Sequence, residues 1–228
     1  MRPYGGAVPV MPMFPLGSVL LPGMPLPLHV FEPRYQALVA HCLEGEPEFG
    51  VVLIERGSEV GGGDARTGVG TVARILEATR FEDGRWAIGA VGTRRIRVER
   101  WLPDDPFPQA VVDDWPEDPG EIDPERLEGV VSRFRRVLAL ASELGIPVPP
   151  ATVELADERE VAVLQMTAGT PFGPADRYDL LAAPGPVARL DLLAELLAGQ
   201  AELLEGQAAM ADPGETFGQG YGEDLGGL

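Results

Sequence analysis

The chain changes its hydrophobic rhythm about halfway along. Up to Trp115 the apolar residues fall in short alternating or β-branched runs, and from Asp123 onward they recur at spacings of three and four. The stretch Met13–Val39 sets the pattern for the first half. It predicts a short strand, a turn at Pro22-Gly23, a second strand through Leu26, Leu28 and Val30, and then a helix. Pro25 and Pro27 cannot donate to a ladder, so the second strand is expected at a sheet edge or a strand start. Glu32-Pro33 opens the helix, Tyr35, Leu38, Val39 and Cys42 form its apolar face, and Gly45 ends it. Further strands are expected over 48–55, 69–81, 85–101 and 109–115. Asp83-Gly84 is the hairpin turn, Gly89 and Gly92 are bend or bulge points, and 56–67 is a mobile loop around Gly61–Gly63.

In the second half Asp123-Pro124 predicts a helix with Leu127, Val130, Val131, Phe134, Val137, Leu138, Ala141 and Leu144 on one side. Asp157 with Glu160 resembles a capping box for a helix ending at Gly169. Residues 174–181 read as a short helix and 186–207 as a long one, its inner face being Leu190, Leu193, Leu197, Ala201 and Leu204. Strands first and helices afterwards give an α+β protein.

Charge and composition narrow the chemistry. A formal charge of −18 over 228 residues argues against nucleic acid or an anionic membrane surface as partner, since both need positive charge facing phosphates. All 18 basic residues are arginines. Without lysine the chain holds neither the P-loop lysine that reaches the β/γ-phosphates nor the base of a Ser–Lys dyad. The single cysteine, Cys42, sits on an apolar helix face, which predicts a buried structural thiol and excludes a disulfide within the chain. No stretch approaches a membrane span and the start lacks signal-peptide character, so a cytoplasmic location is expected.

FPLGSVLLPGMPLPLHVFEPRY, from Phe14 to Tyr35, resembles the signature of the Lon protease N-terminal (substrate-binding) domain family. Gly70–Ile75 and Val91–Val98 agree with it in order, and the likeness spans residues 10 to 207. Five or six strands suggest a strongly curved sheet or small barrel over 10–116, and the PUA-like β-barrel that the resemblance implies agrees with it. By composition 117–122 reads as an acidic, proline-containing linker, and by spacing 123–209 reads as a helical-bundle subdomain. Residues 1–9 are then a loose leader and 210–228 a disordered, acidic, glycine-rich tail. The resemblance also implies a stand-alone substrate-binding domain without ATPase or protease parts. Its partners would be unfolded or apolar polypeptide segments, with a protease or chaperone beside it.

The residues themselves offer little catalytic material. Gly68–Ala73 fits G-x-G-x-x-A but lies inside a predicted strand, where no helix N-terminus meets a phosphate. Ser18 and His29 read as a turn serine and a strand histidine. No metal, cofactor or catalytic set is expected. The polypeptide-binding candidates are Leu16, Leu20, Leu21, Met24 and Leu26, crowded around the Pro22-Gly23 turn. Arg94 interrupts a face shared by Ile88, Ala90, Ile96 and Val98, and Glu32 is its expected structural ion-pair partner. The competing reading is a small-molecule pocket between barrel and helices, with a regulatory or hydrolytic role.

Overall fold

The computed structural model describes residues 10–56 and 65–211. The expected leader, residues 57–64 of the expected loop and 212–228 of the expected tail lie outside them, whereas Arg56 and 65–67 belong to strands and 210–211 to the last helix. The elements run β1 (Val10–Leu16), β2 (Pro25–Val30), α1 (Pro33–Glu44), β3 (Glu48–Arg56), β4 (Ala65–Arg80), β5 (Trp86–Trp101) and β6 (Gln109–Asp114). The helices α2 (Pro124–Glu143), α3 (Arg159–Gly169), α4 (Pro174–Ala182) and α5 (Pro186–Ala211) follow. The molecule is α+β, as the change of rhythm predicts.

One six-stranded mixed sheet has the order β2-β5-β4-β3-β1-β6, and β6 also pairs with β5. The parallel pair β1–β3 is the consequence of α1 standing between them as a crossover. One side of the sheet buries Phe14, Phe49, Val51, Ile75 and Ile88 against Tyr35, Leu38, Val39 and Cys42 of α1, the face expected from sequence. Met13, Val52, Val72, Ile96, Ala110 and Val112 form a second cluster. Cys42 is buried, its Sγ 3.3 Å from the Glu48 carbonyl, and burial pushes the thiol up to about 12.

The β4–β5 hairpin closes at Asp83-Gly84, with Gly84 at φ 87°. Its register slips beside both glycines singled out in the sequence. Gly89 pairs with Glu77 while Ala90 pairs with Ile75, and Gly92 pairs with Ala73 while Arg95 pairs with Thr71.

Helices α2 to α5 bury a cluster of their own that includes Val130, Phe134, Leu138, Val163, Met166, Leu190, Leu193 and Leu197. Gly145 follows α2 at φ 71°, the left-handed conformation that ends a helix without Cβ strain. The expected Asp157–Glu160 capping box does not form. Glu158 occupies the N-cap of α3 and makes no side-chain cap bond. An arginine serves the end of α3: Arg177 Nη2 donates to the carbonyls of Ala168 and Thr170.

Candidate functional site

The Pro22-Gly23 turn lies down on the β4–β5 pair. Gly23 takes φ 79°, its N–H donates to the Gly92 carbonyl at 2.8 Å, and Gly92 N–H donates to Met24 O at 2.9 Å. Thr71 Oγ1 donates to Leu20 O at 2.6 Å. This anchoring decides the fate of the residues expected to bind polypeptide. Leu16 and Leu20 are buried in the sheet core, and Leu21 is buried between sheet and helices with Val69 and Leu181. Met24 and Leu26 remain half-buried on that core. Most of the apolar crowd is therefore spent on holding the turn in place.

Exposed apolar surface gathers one strand further on. Phe31 is 58% and Phe81 44% exposed. They line a depression of about 240 Å³ with His29, Val30, Arg85 and Trp86. A smaller hollow of about 90 Å³, lined by Leu16, Leu28 and Tyr35 among others, shares His29, Val30 and Phe31 with it. Phe31 and Phe81 leave no mark in the hydrophobic alternation, which describes only paired positions. Each aromatic abuts a turn, Phe31 before Glu32-Pro33 and Phe81 before Asp83-Gly84, and that adjacency is the signal that its ring lies beyond the sheet core.

The edge strand beside this surface is protected. Among the described residues β2 pairs only with β5, in the register Leu26↔Ala90 and Leu28↔Ile88. Prolines cannot donate to β5, so the even-numbered residues make the ladder bonds and Pro25, Pro27 and His29 point their backbone outward. The free edge offers one N–H, that of His29. An incoming strand finds too few donors to pair along β2.

A second concavity, about 410 Å³, lies where sheet and helices meet, lined by Pro22, Thr93–Arg95, Asp114–Glu117, Glu160, Leu164 and Arg189. Its floor is cationic and buried. Arg95 Nη1 donates to the carbonyls of Leu181 (2.8 Å) and Ala183, and Nη2 to Pro184 O at 3.2 Å. Its Nε sits 3.1 Å from Glu117 Oε1, an ion-pair contact without hydrogen-bond alignment. Arg189 Nη2 donates to the same Glu117 Oε1 at 2.8 Å, and its Nε to Leu180 O. Two guanidiniums thus share one carboxylate. Burial pulls Arg95 below the usual arginine value, and Glu117 opposes that pull. The Trp115 ring stacks with Arg95 and Arg97, their guanidinium carbons 4.4 and 4.5 Å from its centroid. Ser18 and His29 are exposed and do not line this pocket.

The expected Glu32–Arg94 pair is not formed. Arg94 donates to Glu48 Oε2 at 2.8 Å and Asp114 Oδ1 at 2.9 Å, while Glu32 accepts from Arg34 at 3.1 Å. The register slip is the reason. Thr71 and Ala73 lie two apart on β4, but their partners Arg95 and Gly92 lie three apart on β5. One extra residue resets the alternation, so Arg95 takes the inward phase and Arg94 turns toward β3 and β6.

Glu48 also accepts from Arg74 at 2.7 Å. Burial pushes its carboxyl up, but hydrogen bonds from Arg94 and Arg74 outweigh this and hold it below the usual carboxylate value of 4.5. A depressed folded value stabilises the protein above the unfolded value, and that stability is lost as pH falls through the folded one. Both arginines are largely solvated, so the effect stays within about 1 kcal/mol. Glu48→Gln is expected to be less stable than the parent at neutral pH, with the gap closing below about pH 4. Urea midpoints across pH 3 to 7 read this, and a gap that does not depend on pH contradicts it.

Comparison with known proteins places the chain. Residues 10–199 match the model of the ATP-dependent protease La (LON) substrate-binding domain. The Lon protease of Anaeromyxobacter dehalogenans is 28% identical over 203 residues, covering 86% of this chain and 24% of that protein. The Lon protease of Cytophaga hutchinsonii is 36% identical over 105 residues, 45% of this chain and 13% of that one. The chain therefore spans about a quarter or less of the curated relatives it matches. Among solved structures it resembles a Lon N-terminal domain protein from Xanthomonas campestris (TM-score 0.61, 30% identity), covering 84% of this chain and 98% of that one. The N-terminal domain of a Mycobacterium avium complex Lon protease shares the fold, with TM-score 0.57, 20% identity and coverage of 83% and 98%.

Proposed function

The chain belongs to the LON substrate-binding domain family, and from that membership we propose a non-enzymatic recognition module that binds apolar segments of unfolded or damaged polypeptide, a proteostasis adaptor acting beside a protease or chaperone. The similarity is to the substrate-binding domain, and the chain has no lysine for a P-loop or a Ser–Lys dyad. The module would work in the cytoplasm; no described helix is long and apolar enough to cross a membrane. The pairings β5-β4-β3-β1-β6 returning to β5 support reading residues 10–116 as a closed PUA-like barrel, with 117–122 as linker and 123–209 as a helical subdomain.

The exposed Phe31–Phe81–Trp86 surface carries this reading. Burying a phenylalanine ring is worth about 1.5–3 kcal/mol, and two rings beside a hollow give an extended segment somewhere to place apolar side chains. Recognition then works through side-chain pockets at the Phe31 end of β2, with the half-buried Met24 and Leu26 toward its other end, because the prolines of β2 block strand addition. Titration of a labelled, permanently unfolded protein should saturate, and the pair Phe31→Ser with Phe81→Ser should weaken it at least about tenfold, or 1.4 kcal/mol, with little change in thermal midpoint. Absence of saturable binding by the folded parent would falsify this reading.

The junction pocket favours a second reading, a small-molecule regulatory site, since about 410 Å³ falls within the range of ligand pockets. Native mass spectrometry of freshly purified protein separates the two: a retained, stoichiometric small molecule supports the second.

A further inference from the structure

Helix α5 carries two apolar stripes. Leu190, Leu193, Leu197 and Leu204 are buried in the helical core. The other stripe is Leu192, Leu196, Gly199, Leu203, Gly206 and Met210, roughly 140° around the helix at about 100° per residue. Leu192 and Leu196 are half-buried, each with part of its side chain packed on the helical core, whereas Leu203 is 55% and Met210 85% exposed. A Cβ built at Gly199 or Gly206 meets nothing within 4 Å. The stripe's spacing alternates strictly between four and three, as in a seam between paired helices.

We infer that this stripe pairs antiparallel with the same stripe of a second copy of the chain, about a two-fold axis level with Ala201. That register is self-complementary in size. It sets Leu203 against Gly199, Leu196 against Gly206 and Met210 against Leu192, so every glycine gap receives a leucine from the other copy. A parallel pair stacks glycine on glycine and leaves voids. The charges flanking the stripe favour a protein over a membrane: Glu195 and Glu202 border it, and it contains no lysine or arginine to meet lipid phosphates. Glu202 meets its own counterpart at the axis, the one like-charge pair in the contact. A seam of about five helical turns is a small interface, which makes the dimer weak and reversible.

Sedimentation equilibrium of the full chain from low micromolar to submillimolar concentration tests this. The mass should rise from 24.3 kDa toward twice that value. Leu203→Glu should raise the dimer Kd at least about tenfold with unchanged helical circular dichroism, and Glu202→Gln should lower it. Oxidising a mixture of Gly199→Cys chains with Leu203→Cys chains should give a covalent dimer faster than oxidising either alone; the native Cys42 is buried and stays out of the reaction. A monomer throughout, a dimer indifferent to Leu203→Glu, or crosslinking fastest with Leu203→Cys alone overturns the inference.

Discussion

Arg95→Met lowers folding stability by about 3–5 kcal/mol, the loss expected when a buried arginine that holds several junction carbonyls is removed. Arg95 is 4% exposed and reaches from β5 to three carbonyls at the end of α4, those of Leu181, Ala183 and Pro184. Methionine fills much of the volume but leaves those carbonyls facing no donor, at about 1–3 kcal/mol for each that water cannot reach. It also leaves Arg189 as the sole guanidinium on Glu117. Arg95→Lys recovers little, because an ammonium cannot reproduce a planar fork directed at several carbonyls at once. The triple replacement Arg95→Met, Glu117→Leu, Arg189→Met should be less damaging than the single losses combined, since no charge is then left unpaired. Urea unfolding followed by circular dichroism measures all of these. A loss under about 1 kcal/mol for Arg95→Met would mean that water satisfies the junction carbonyls.

Gly92→Ala should lower stability by about 2–3 kcal/mol through overpacking and weakened backbone bonds. Its Cβ would fall on the Leu21 carbonyl oxygen, inside any allowed contact, and 3.2 Å from Leu20 Cγ. The obstacle on one side is backbone, so the whole 20–24 segment has to lift. That strains the paired bonds Gly23 N–H to Gly92 O and Gly92 N–H to Met24 O. Gly68→Ala is the matched control, because a Cβ there meets nothing within 4 Å; it should change stability by less than about 0.5 kcal/mol. Equal effects at the two positions would refute the packing explanation. The test also bears on recognition, because lifting the turn exposes Leu20 and Leu21, and Gly92→Ala should bind apolar peptides less selectively.

The order of elements was legible because it depends on local rules. Turn chemistry at Pro22-Gly23 and Asp83-Gly84, the Glu32-Pro33 helix start and the Tyr35–Cys42 face all appear where the residues direct. Even the slip points were marked, by Gly89 and Gly92. What the glycines could not reveal was the direction of the slip, and that decided which of two adjacent arginines is buried. Likewise, crowding of leucines around a turn looks the same in sequence whether the crowd faces solvent or another layer. Here Leu21 faces Val69 and Leu181, a contact between positions far apart in the chain.

The α+β class, the helix faces and the family likeness follow from residue identity and near-neighbour spacing, and so are written in the chain alone. The fold, by contrast, settles that Arg95, Glu117 and Arg189 converge at the junction, that Phe31 and Phe81 share a surface, and that the second apolar stripe of α5 leaves Leu203 and Met210 exposed. Those outcomes depend on which distant segments meet, and a one-residue change of register redirects every side chain beyond it.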